Sequence, residues 1–390
     1  MDSIFRLGYN WNRYKIKLIT QQKILNILSI AFWGKFNDSF KPGKIAIYRI
    51  GNIGDIVCSI PAMIAVKETY PDVHITLVTS AGQKGNIGAK QILQDAWFID
   101  EIFEYSSQDI ADLNGKKKVL DELKGRNFDL WINLPLDRAI FRRTLRDMLF
   151  VKLVGVKKAI GFKLGIPGSP ELRKILKLPL PNEVERLLNL LKGYGIRSSG
   201  VRFDLPFTKD VKEKCNRIIE KLKIPKNKPW VGIAPFTKQP AKQWPIERFL
   251  EVARYLIKKG TVLLIFGGKS EEIKGEKFVG QVEENAFNLC GKLSVLESAY
   301  MLKMCKFLVT NDSGPMHLAA AVGTKCVAIF SAHNYPGQWE PHGEGHIILR
   351  KDVDCSPCYL MECPKGNLCV NLITVEEVLE ATNKQLEDVE

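Results

Sequence analysis

The sequence predicts an α/β protein of two domains, each built on a parallel β-sheet with helices on both faces. Apolar runs of strand length alternate with helical segments along most of the chain, a pattern typical of parallel sheets. The length of 390 residues also favours two domains, because a single hydrophobic core rarely extends beyond about 250–300 residues. The stretch 198–207 separates two such series of strands and helices and is the predicted hinge.

Basic residues are concentrated in two parts of the chain, whose net charge is +14. Residues 1–41 carry seven Lys or Arg against two Asp, and residues 138–177 carry eleven against two acids. Such patches attract nucleic acid, anionic lipid or a phosphorylated glycolipid. Because no zinc-finger, helix-turn-helix or RNA-binding aromatic pattern accompanies them, we expect no nucleic acid partner.

Residues 1–41 form a basic amphipathic extension, predicted as one or two helices. Leu18, Leu25, Leu28 and Phe32 share one face at helical spacing. Two interpretations are open: this face lies in a membrane interface, or it packs on the body of the protein. No apolar run is long enough to span a bilayer, and no signal-peptide cleavage site is present. We therefore expect a cytoplasmic protein, peripheral on the inner face of the cytoplasmic membrane.

The N-terminal domain, residues 42–205, opens with a strand, a glycine-containing turn and a helix. Asp55 lies where the strand ends and the helix begins, and the glycines before it let the backbone approach a ligand. A carboxylate there can also be a helix cap, and a helix start should lower its pKa. The predicted strands are 45–49, 74–78, 101–105, 130–133 and 159–162; the helices are 56–69, 116–124, 138–153 and 183–194, with a loop at 165–170.

The C-terminal domain, residues 206–373, is organised around the stretch 307–330, which predicts a strand, a tight turn, a short helix and a second strand. Pro315 suits the first helical turn and Gly323 the position beyond the helix end. Free amides at such a helix start bind phosphate. The other predicted strands are 230–234, 261–266 and 288–290; the helices are 209–222, 246–259, 271–284 and 295–304. A last helix, 374–390, is predicted to pack back on the N-terminal domain.

Two of these stretches resemble glycosyltransferase family 9, which contains the lipopolysaccharide heptosyltransferases. D-S-G-P-M-H-L-A-A-A begins at Asp312 and R-I-G-N-I-G-D begins at Arg49, in the family's order. The resemblance implies the GT-B architecture, two Rossmann-like domains that face each other across a cleft. It also implies an inverting, metal-independent transfer without a required cofactor, in which Asp55 is the general base. The acceptor-side loop would then contain Gly51, Asn52 and Gly54.

The same resemblance places the nucleotide-sugar donor on the C-terminal domain. Lys242, before Trp244-Pro245, would neutralise the diphosphate together with Thr237, although Lys238 and Lys242 can also be ordinary solvated loop lysines. A glutamate after the strand 261–266 would bind the ribose; Glu271 and Glu272 are the candidates and Glu272 is preferred. The remaining donor residues would be Asp312, Ser313, Gly314 and His317.

Four cysteines follow the second domain's last predicted strand: Cys355, Cys358, Cys363 and Cys369. Four thiols so close in sequence can hold one structural zinc ion, or they can be free thiols. The nine cysteines of the chain are otherwise dispersed, which favours a reducing cytoplasm.

The predicted function is transfer of a sugar to a lipopolysaccharide-core or other cell-surface glycan acceptor, with heptose and ADP-heptose as the family's best-known sugar and donor. Two alternatives remain open: a glycosyltransferase with a different sugar and acceptor, and a non-catalytic polyanion- or nucleotide-binding protein. A dinucleotide-dependent oxidoreductase lacks support, because no G-x-G-x-x-G motif follows a strand.

Overall fold

A computed structural model describes residues 2–37, 39–166, 176, 178–282 and 284–387, with the backbone alone for residues 2–13. These residues form two compact units. The first unit comprises the described residues within 1–176 and 183–204; the second comprises those within 177–182 and 205–390. Both units are α/β with parallel sheets, which confirms the predicted fold class.

The sheet of the first unit contains five parallel strands among the described residues, in the order β3-β2-β1-β4-β5. These are β1 (Lys44–Tyr48), β2 (His74–Thr79), β3 (Glu101–Glu104), β4 (Leu130–Asn133) and β5 (Lys158–Ile160). The central strand β1 pairs with β2 on one side and β4 on the other, through Ile45↔Ile75 and Ile45↔Leu130. Its interior residues are fully buried, as expected for a strand covered on both faces.

Helices cover this sheet: α1 (Asp2–Trp33), α2 (Ile53–Thr69), α3 (Lys90–Leu93), α4 (Leu113–Lys124), α5 (Phe141–Val154) and α6 (Glu183–Lys192). The four-residue helix α3 was not predicted. It is too short to show a hydrophobic period in the sequence.

The first helix α1 packs on the first unit through the face predicted from its leucines. Leu25 and Trp33 are buried in the same core as residues of α5 and β5. The Trp33 ring stacks on Phe162 at 5.6 Å, and Lys158 Nζ donates to Trp33 O (2.6 Å). The sequence left open whether this face lies in a membrane interface or packs on the body of the protein. In the structure, the leucine face packs on the protein.

The sheet of the second unit has six parallel strands within the described residues, in the order β11-β10-β9-β6-β7-β8. They are β6 (Trp230–Ala234), β7 (Val262–Ile265), β8 (Ala286–Asn288), β9 (Phe307–Asn311), β10 (Lys325–Phe330) and β11 (Ile347–Arg350). The edge strand β11 was not predicted. Its four residues are all half-buried, so the sequence lacks the contrast that marks a strand.

The second unit's helices are α7 (Lys209–Lys221), α8 (Ile246–Lys258), α9 (Glu272–Val279), α10 (Val295–Lys303), α11 (Gly314–Ala321), α12 (Leu368–Asn371) and α13 (Val375–Glu387), with 3-10 turns at Pro240–Lys242 and Lys269–Glu271. The predicted helix 271–284 is shorter, because a 3-10 turn precedes it and Gly280 ends it.

Two boundary predictions differ from the structure. The last helix, α13, belongs to the second unit: Val378 and Ala381 are buried in the core of that unit, and Tyr255 Oη donates to Asn383 Oδ1 (2.7 Å). Residues 178–182, assigned to the N-terminal domain, also belong to the second unit, where Leu180 N donates to Pro336 O (2.9 Å).

Parts of five predicted segments lie outside the described residues: 1 and 38 of the N-terminal extension, 167–170 of the predicted loop, 167–175 and 177 of the basic stretch, 283 of the predicted helix 271–284, and 388–390 of the last helix. Of the helices in the described part of the chain, none combines the length and apolar character needed to cross a bilayer.

Candidate functional site

The predicted site residues follow the carboxyl ends of parallel strands in both units. Asp55 and its loop follow β1, the central strand of the first sheet. The predicted donor residues follow β6, β7 and β9 of the second sheet. This edge is where open α/β sheets bind ligands.

Asp55 lies in the first turn of α2, and Asn52 is the residue that precedes the helix. The Asn52 N–H donates to Asp55 Oδ2 (2.9 Å), so the carboxylate does cap the helix. Its other oxygen, Oδ1, points to Arg49 Nη2 at 3.5 Å, and 19% of the side chain is exposed. Capping therefore engages one oxygen of a carboxylate that solvent still reaches.

Arg49 is a functional candidate that the sequence analysis missed. Its side chain is fully buried, and Nη2 lies 3.0 Å from Glu183 Oε1, which is also fully buried. Nη1 donates to Pro135 O (3.1 Å). Arg186 Nε donates to the other oxygen of Glu183, Oε2 (2.6 Å). A signal existed in the sequence, because an arginine directly after a buried strand needs acceptors inside the fold.

The pKa of Asp55 is raised above that of an ordinary aspartate. Burial raises it most; the Arg49 guanidinium and the Asn52 N–H oppose this, while the nearby charges of Glu183 and Asp137 raise the pKa further. From the sequence, the helix start is expected to lower this pKa. The tertiary environment reverses that direction, and a higher pKa makes the carboxylate a stronger base.

Gly51 lets the Asp55 carboxylate occupy its position. Its φ is +137°, and a Cβ atom built on it would lie 2.6 Å from Asp55 Oδ2. Its N–H donates to Ser80 O (3.2 Å), which fixes the loop against the end of β2. Gly54 lies in the first turn of α2. The acceptor-side loop predicted from Gly51, Asn52 and Gly54 is thus the loop that shapes the surroundings of Asp55.

In the second unit, the strand order brings the predicted donor loops to one edge of the sheet. Strand β6 pairs with β9 through Ala234↔Thr310 and with β7 through Ile233↔Ile265. The loop with Thr237 and Lys242 follows β6 and therefore starts between the loops that follow β7 and β9.

Lys242 and Asp312 form an ion pair, with Nζ 2.6 Å from Oδ2 and side chains that are 13% and 5% exposed. Asn334 Nδ2 also donates to Asp312 Oδ2 (3.3 Å). Asn311 holds the Lys242 loop in place, because its Oδ1 accepts from Trp244 N (3.0 Å) and its Nδ2 donates to Pro235 O (2.9 Å).

The pKa of Asp312 is lowered. Burial by itself would raise it, but the Lys242 ammonium, with smaller contributions from His317 and Arg350, outweighs burial. Asp312 is therefore held as an anion that neutralises Lys242, and its pKa is shifted in the opposite direction to that of Asp55.

Ser313 and Gly314 form the start of α11, as predicted, and Gly323 follows its end with φ +80°. The Ser313 hydroxyl makes no capping bond to this helix; it lies 3.5 Å from Thr310 Oγ1. His317 is buried, with its ring edge-on to Trp339 at 6.0 Å between centroids. This helix start can present backbone N–H groups and a hydroxyl to an anion.

The remaining predicted donor residues have local partners. Thr237 Oγ1 accepts from Gln239 N (3.2 Å). Glu271 Oε2 accepts from Gly268 N (2.7 Å), which stabilises the turn after β7, whereas Glu272 pairs with the exposed Lys269 at 2.5 Å. Because Glu271 serves the backbone, Glu272 is the glutamate better able to exchange its partner for a ligand.

The structure brings Lys242 and Asp312 together and places the Ser313 helix start next to Asp312. Glu272 follows β7, one strand further along the edge than the Lys242 loop after β6. Asn334 and Arg350 were not predicted from the sequence. Arg350 is the last residue of β11, and its Nη1 donates to Asn334 O (3.1 Å), thereby supporting the residue that bonds to Asp312.

The four cysteines do not form the zinc site considered in the sequence analysis. They are free thiols, and the described residues contain no group of three or more His, Cys, Asp or Glu placed to hold a metal ion. Cys369 is buried with its Sγ 3.3 Å from Ala332 N, and burial raises the pKa of its thiol. Sequence proximity alone did not place the four thiols around one point.

Comparison with known proteins links this geometry to one family. A sequence model of Glycosyltransferase family 9 (heptosyltransferase) matches residues 117–369. Lipooligosaccharide heptosyltransferase 2 of Campylobacter jejuni serotype O:2 is 31% identical over 152 residues, which are 38% of this chain and 48% of that protein. The chain thus spans about half the length of this curated relative. The family match begins after Asp55 and includes Lys242, Asp312 and the helix start at Ser313.

Solved structures of similar fold cover most of the chain. A glycosyl transferase family 9 protein from Veillonella parvula aligns with a TM-score of 0.71 at 20% identity, over 89% of this chain and 98% of that one. An E. coli heptosyltransferase solved with ADP-2-deoxy-2-fluoro heptose aligns with a TM-score of 0.58 at 16% identity, over 87% of this chain and 99% of that one. At these identities the likeness establishes the fold, which is GT-B.

Proposed function

This chain belongs to glycosyltransferase family 9, and on that premise we propose that it transfers a sugar from a nucleotide-diphosphate donor to a hydroxyl group of a lipopolysaccharide-core or related cell-surface glycan. The proposed donor is ADP-heptose, because an E. coli heptosyltransferase of the same fold was solved with an ADP-heptose analogue. The proposed acceptor follows from the relative named a lipooligosaccharide heptosyltransferase.

The observation that carries the proposal is the Lys242–Asp312 ion pair beside the start of α11. A cation held close to free helix N–H groups is suited to a diphosphate. We assign Lys242, Thr237 and the Ser313–Gly314 helix start to the phosphates. Asp312 and His317 are assigned to the sugar side and Glu272 to the ribose.

In the proposed reaction Asp55 is the general base. Its carboxylate takes the proton of the acceptor hydroxyl while that oxygen forms a bond to the anomeric carbon. The bond from this carbon to the diphosphate oxygen breaks, and the nucleotide diphosphate leaves with the electron pair. Attack from the side opposite the leaving group inverts the configuration. Lys242 and the helix N–H groups stabilise the charge that develops on the diphosphate, so we propose a transfer that needs no divalent metal.

The substitution Asp55→Asn tests this mechanism. Asparagine keeps the size of the side chain and can still cap the helix, but it cannot take up the proton. We expect sugar transfer, measured with ADP-heptose and a lipopolysaccharide-core acceptor in EDTA, to fall by about 10²–10⁴-fold. ADP affinity, measured by calorimetry, should stay unchanged because the assigned donor residues lie in the other unit.

Other outcomes would contradict particular parts of the proposal. Near-normal transfer by the variant, with about 1 kcal/mol lost in stability, would reduce Asp55 to a helix cap. Transfer by the wild-type protein that requires added magnesium or manganese would reject the metal-independent mechanism. Binding of ADP without any transfer would favour a nucleotide-binding protein.

We also propose that the protein attaches to the inner face of the cytoplasmic membrane through the outward side of α1. This side presents isoleucines that are 41 to 66% exposed: Ile16, Ile19, Ile24, Ile27 and Ile30. We call these five residues the isoleucine face. They lie opposite the buried Leu25, so both sides of α1 are apolar.

The charges near the isoleucine face favour an anionic lipid surface as its partner. Lys15, Lys17 and Lys23 are exposed, and residues 14–37 contain no acidic residue. On α5, against which α1 packs, Leu149 and Leu153 are exposed together with the basic Arg142 and Arg146. Exposed aliphatic side chains among basic ones are typical of helices that lie in a membrane interface.

A further inference from the structure

Arg49 lies between two carboxylates of the first unit. Its Nη2 atom is 3.0 Å from Glu183 Oε1 and 3.5 Å from Asp55 Oδ1. Its Nε atom donates to the backbone oxygen of Asp55 (3.2 Å). The guanidinium therefore fixes the backbone of Asp55 firmly, while its shorter charged contact goes to Glu183 and not to the Asp55 carboxylate.

The unequal sharing of the Arg49 charge between Glu183 and Asp55 matters, because Asp55 must accept a proton. A buried guanidinium whose full charge faced a single aspartate would stabilise the carboxylate and make it a weak base. Arg49 and Glu183 are both fully buried, so solvent cannot screen this interaction and each charge needs a partner inside the fold. Glu183 provides that partner for Arg49.

We propose that Glu183 is a positioning residue, which draws the charge of Arg49 away from Asp55 and so keeps the Asp55 carboxylate able to act as a base. This inference rests on the proposed role of Asp55. Nothing in the local sequence around Asp55 indicates it, since Glu183 belongs to α6, far along the chain.

The charged groups around Asp55 come from three elements. Arg49 follows β1, Asp137 follows β4, and Glu183 and Arg186 lie on α6. Arg186 donates to both oxygens of Glu183, at 2.6 and 2.8 Å. The raised pKa of Asp55, which burial causes first and to which the charges of Glu183 and Asp137 add, agrees with this arrangement.

Two substitutions on α6 should move the titration of Asp55 in opposite directions. Glu183→Gln removes an anion and leaves Arg49 to pair with Asp55, so the Asp55 carboxyl should titrate lower by about one pH unit. Arg186→Gln removes a cation and frees Glu183 for Arg49, so the same carboxyl should titrate higher. Glu183→Asp keeps the charge and should restore most of the wild-type value. Glu185→Gln, on the exposed side of the same helix, is the matched control and should change nothing.

The titration is measured directly by carbon-13 NMR of the side-chain carboxyls, with the Asp55 signal assigned by its loss in Asp55→Asn. The acid limb of the pH–rate profile for sugar transfer should shift by the same amount. If the role of Glu183 were merely structural, its substitution would lower stability. The pH at which Asp55 titrates and the acid limb of the pH–rate profile would then stay unchanged.

Each outcome decides the inference. Unchanged Asp55 titration in folded Glu183→Gln and Arg186→Gln would overturn it. If Glu183→Gln does not fold, Arg186→Gln alone decides. Its expected effect is a rise in the pH at which Asp55 titrates, and a merely structural role for Glu183 would not produce that rise. Shifts in the NMR titration without any sugar transfer by the wild-type protein would instead refute the proposed function and leave the electrostatic coupling standing.

Discussion

Lys242 Nζ lies 2.6 Å from Asp312 Oδ2, and this ion pair joins the loop after β6 to the loop after β9. Both side chains are largely shielded from solvent, so the contact is stronger than a surface pair would be. The lysine is thereby held beside the start of α11 before any ligand arrives. A bound diphosphate would share Lys242 with Asp312.

Replacement of this lysine should weaken nucleotide binding. In Lys242→Ala we expect ADP affinity, measured by calorimetry, to fall by about 10- to 100-fold, the effect of losing a charge-assisted hydrogen bond worth about 1.5–3 kcal/mol. Sugar transfer should fall further, because the same charge stabilises the leaving group. The matched control is Lys238→Ala, an exposed lysine of the same loop. Equal loss of affinity in both variants would argue for a general charge effect instead of a specific contact.

The lowered pKa of Asp312 predicts a stability effect with a defined sign. A carboxyl whose folded pKa lies below its unfolded pKa stabilises the fold at pH values above the unfolded pKa of about 3.9. That stabilisation is lost as the pH falls through the folded pKa. Asp312→Asn should therefore unfold at lower denaturant concentration than the wild type at pH 7, and the difference should shrink as the pH falls below about 4.

Urea unfolding followed by circular dichroism at pH 7 and at about pH 3.5 measures this difference. A gap between the two proteins that widens in acid would contradict the assigned sign. A gap that stays constant would mean that the stability effect does not come from the charge of Asp312.

Gly51→Ala should lower sugar transfer without changing nucleotide binding. The added methyl group would meet Asp55 Oδ2, and the φ of +137° disfavours any side chain. The carboxylate must then move, and we expect sugar transfer to fall by about 10²-fold or more, since a small displacement of a catalytic group is costly. ADP affinity should not change.

The control for this variant is Gly200→Ala, because a Cβ atom at Gly200 would meet nothing within 4 Å. Gly200→Ala should retain full transfer and full stability. Normal transfer by Gly51→Ala would show that the position of the Asp55 carboxylate does not limit the reaction.

The isoleucine face should govern lipid binding. Ile27→Ser combined with Ile30→Ser removes apolar area from the exposed side of α1 and leaves its buried side intact. We expect binding to anionic liposomes, measured by sedimentation, to weaken by about 30-fold or more, since each of the two inserted aliphatic side chains contributes about 1 kcal/mol or more. High salt should weaken binding of both proteins, because it screens the lysines.

Ile273→Ser provides the control, since Ile273 is an exposed isoleucine of the second unit. It should leave liposome binding unchanged. If the double variant bound liposomes normally but lost a concentration-dependent dimer, the isoleucine face would be a contact between two copies of the chain, and the membrane proposal would fail.

The order of strands and helices could be read from the sequence, because neighbouring residues determine it. The stretch 307–330 illustrates this: the apolar runs, the turn residues, Pro315 and Gly323 predicted a strand, a short helix and a strand, and the structure has β9, α11 and β10 there. The two family motifs likewise predicted Asp55 and the helix start at Ser313 as site residues, since each motif lies within one continuous segment.

Tertiary structure alone decided which charges meet. Arg49 contacts Glu183, and Lys242 contacts Asp312, through strand order and helix packing that bring distant segments together. Burial raises the pKa of Asp55 above the ordinary value, whereas the Lys242 ammonium lowers that of Asp312 in spite of burial. Whether the apolar face of α1 packs on the protein or lies in a membrane was also decided by tertiary structure. The face predicted from Leu25 packs in the core of the first unit, because that unit offers an apolar surface to it, while Ile27 on the opposite side, which the sequence analysis did not single out, stays exposed.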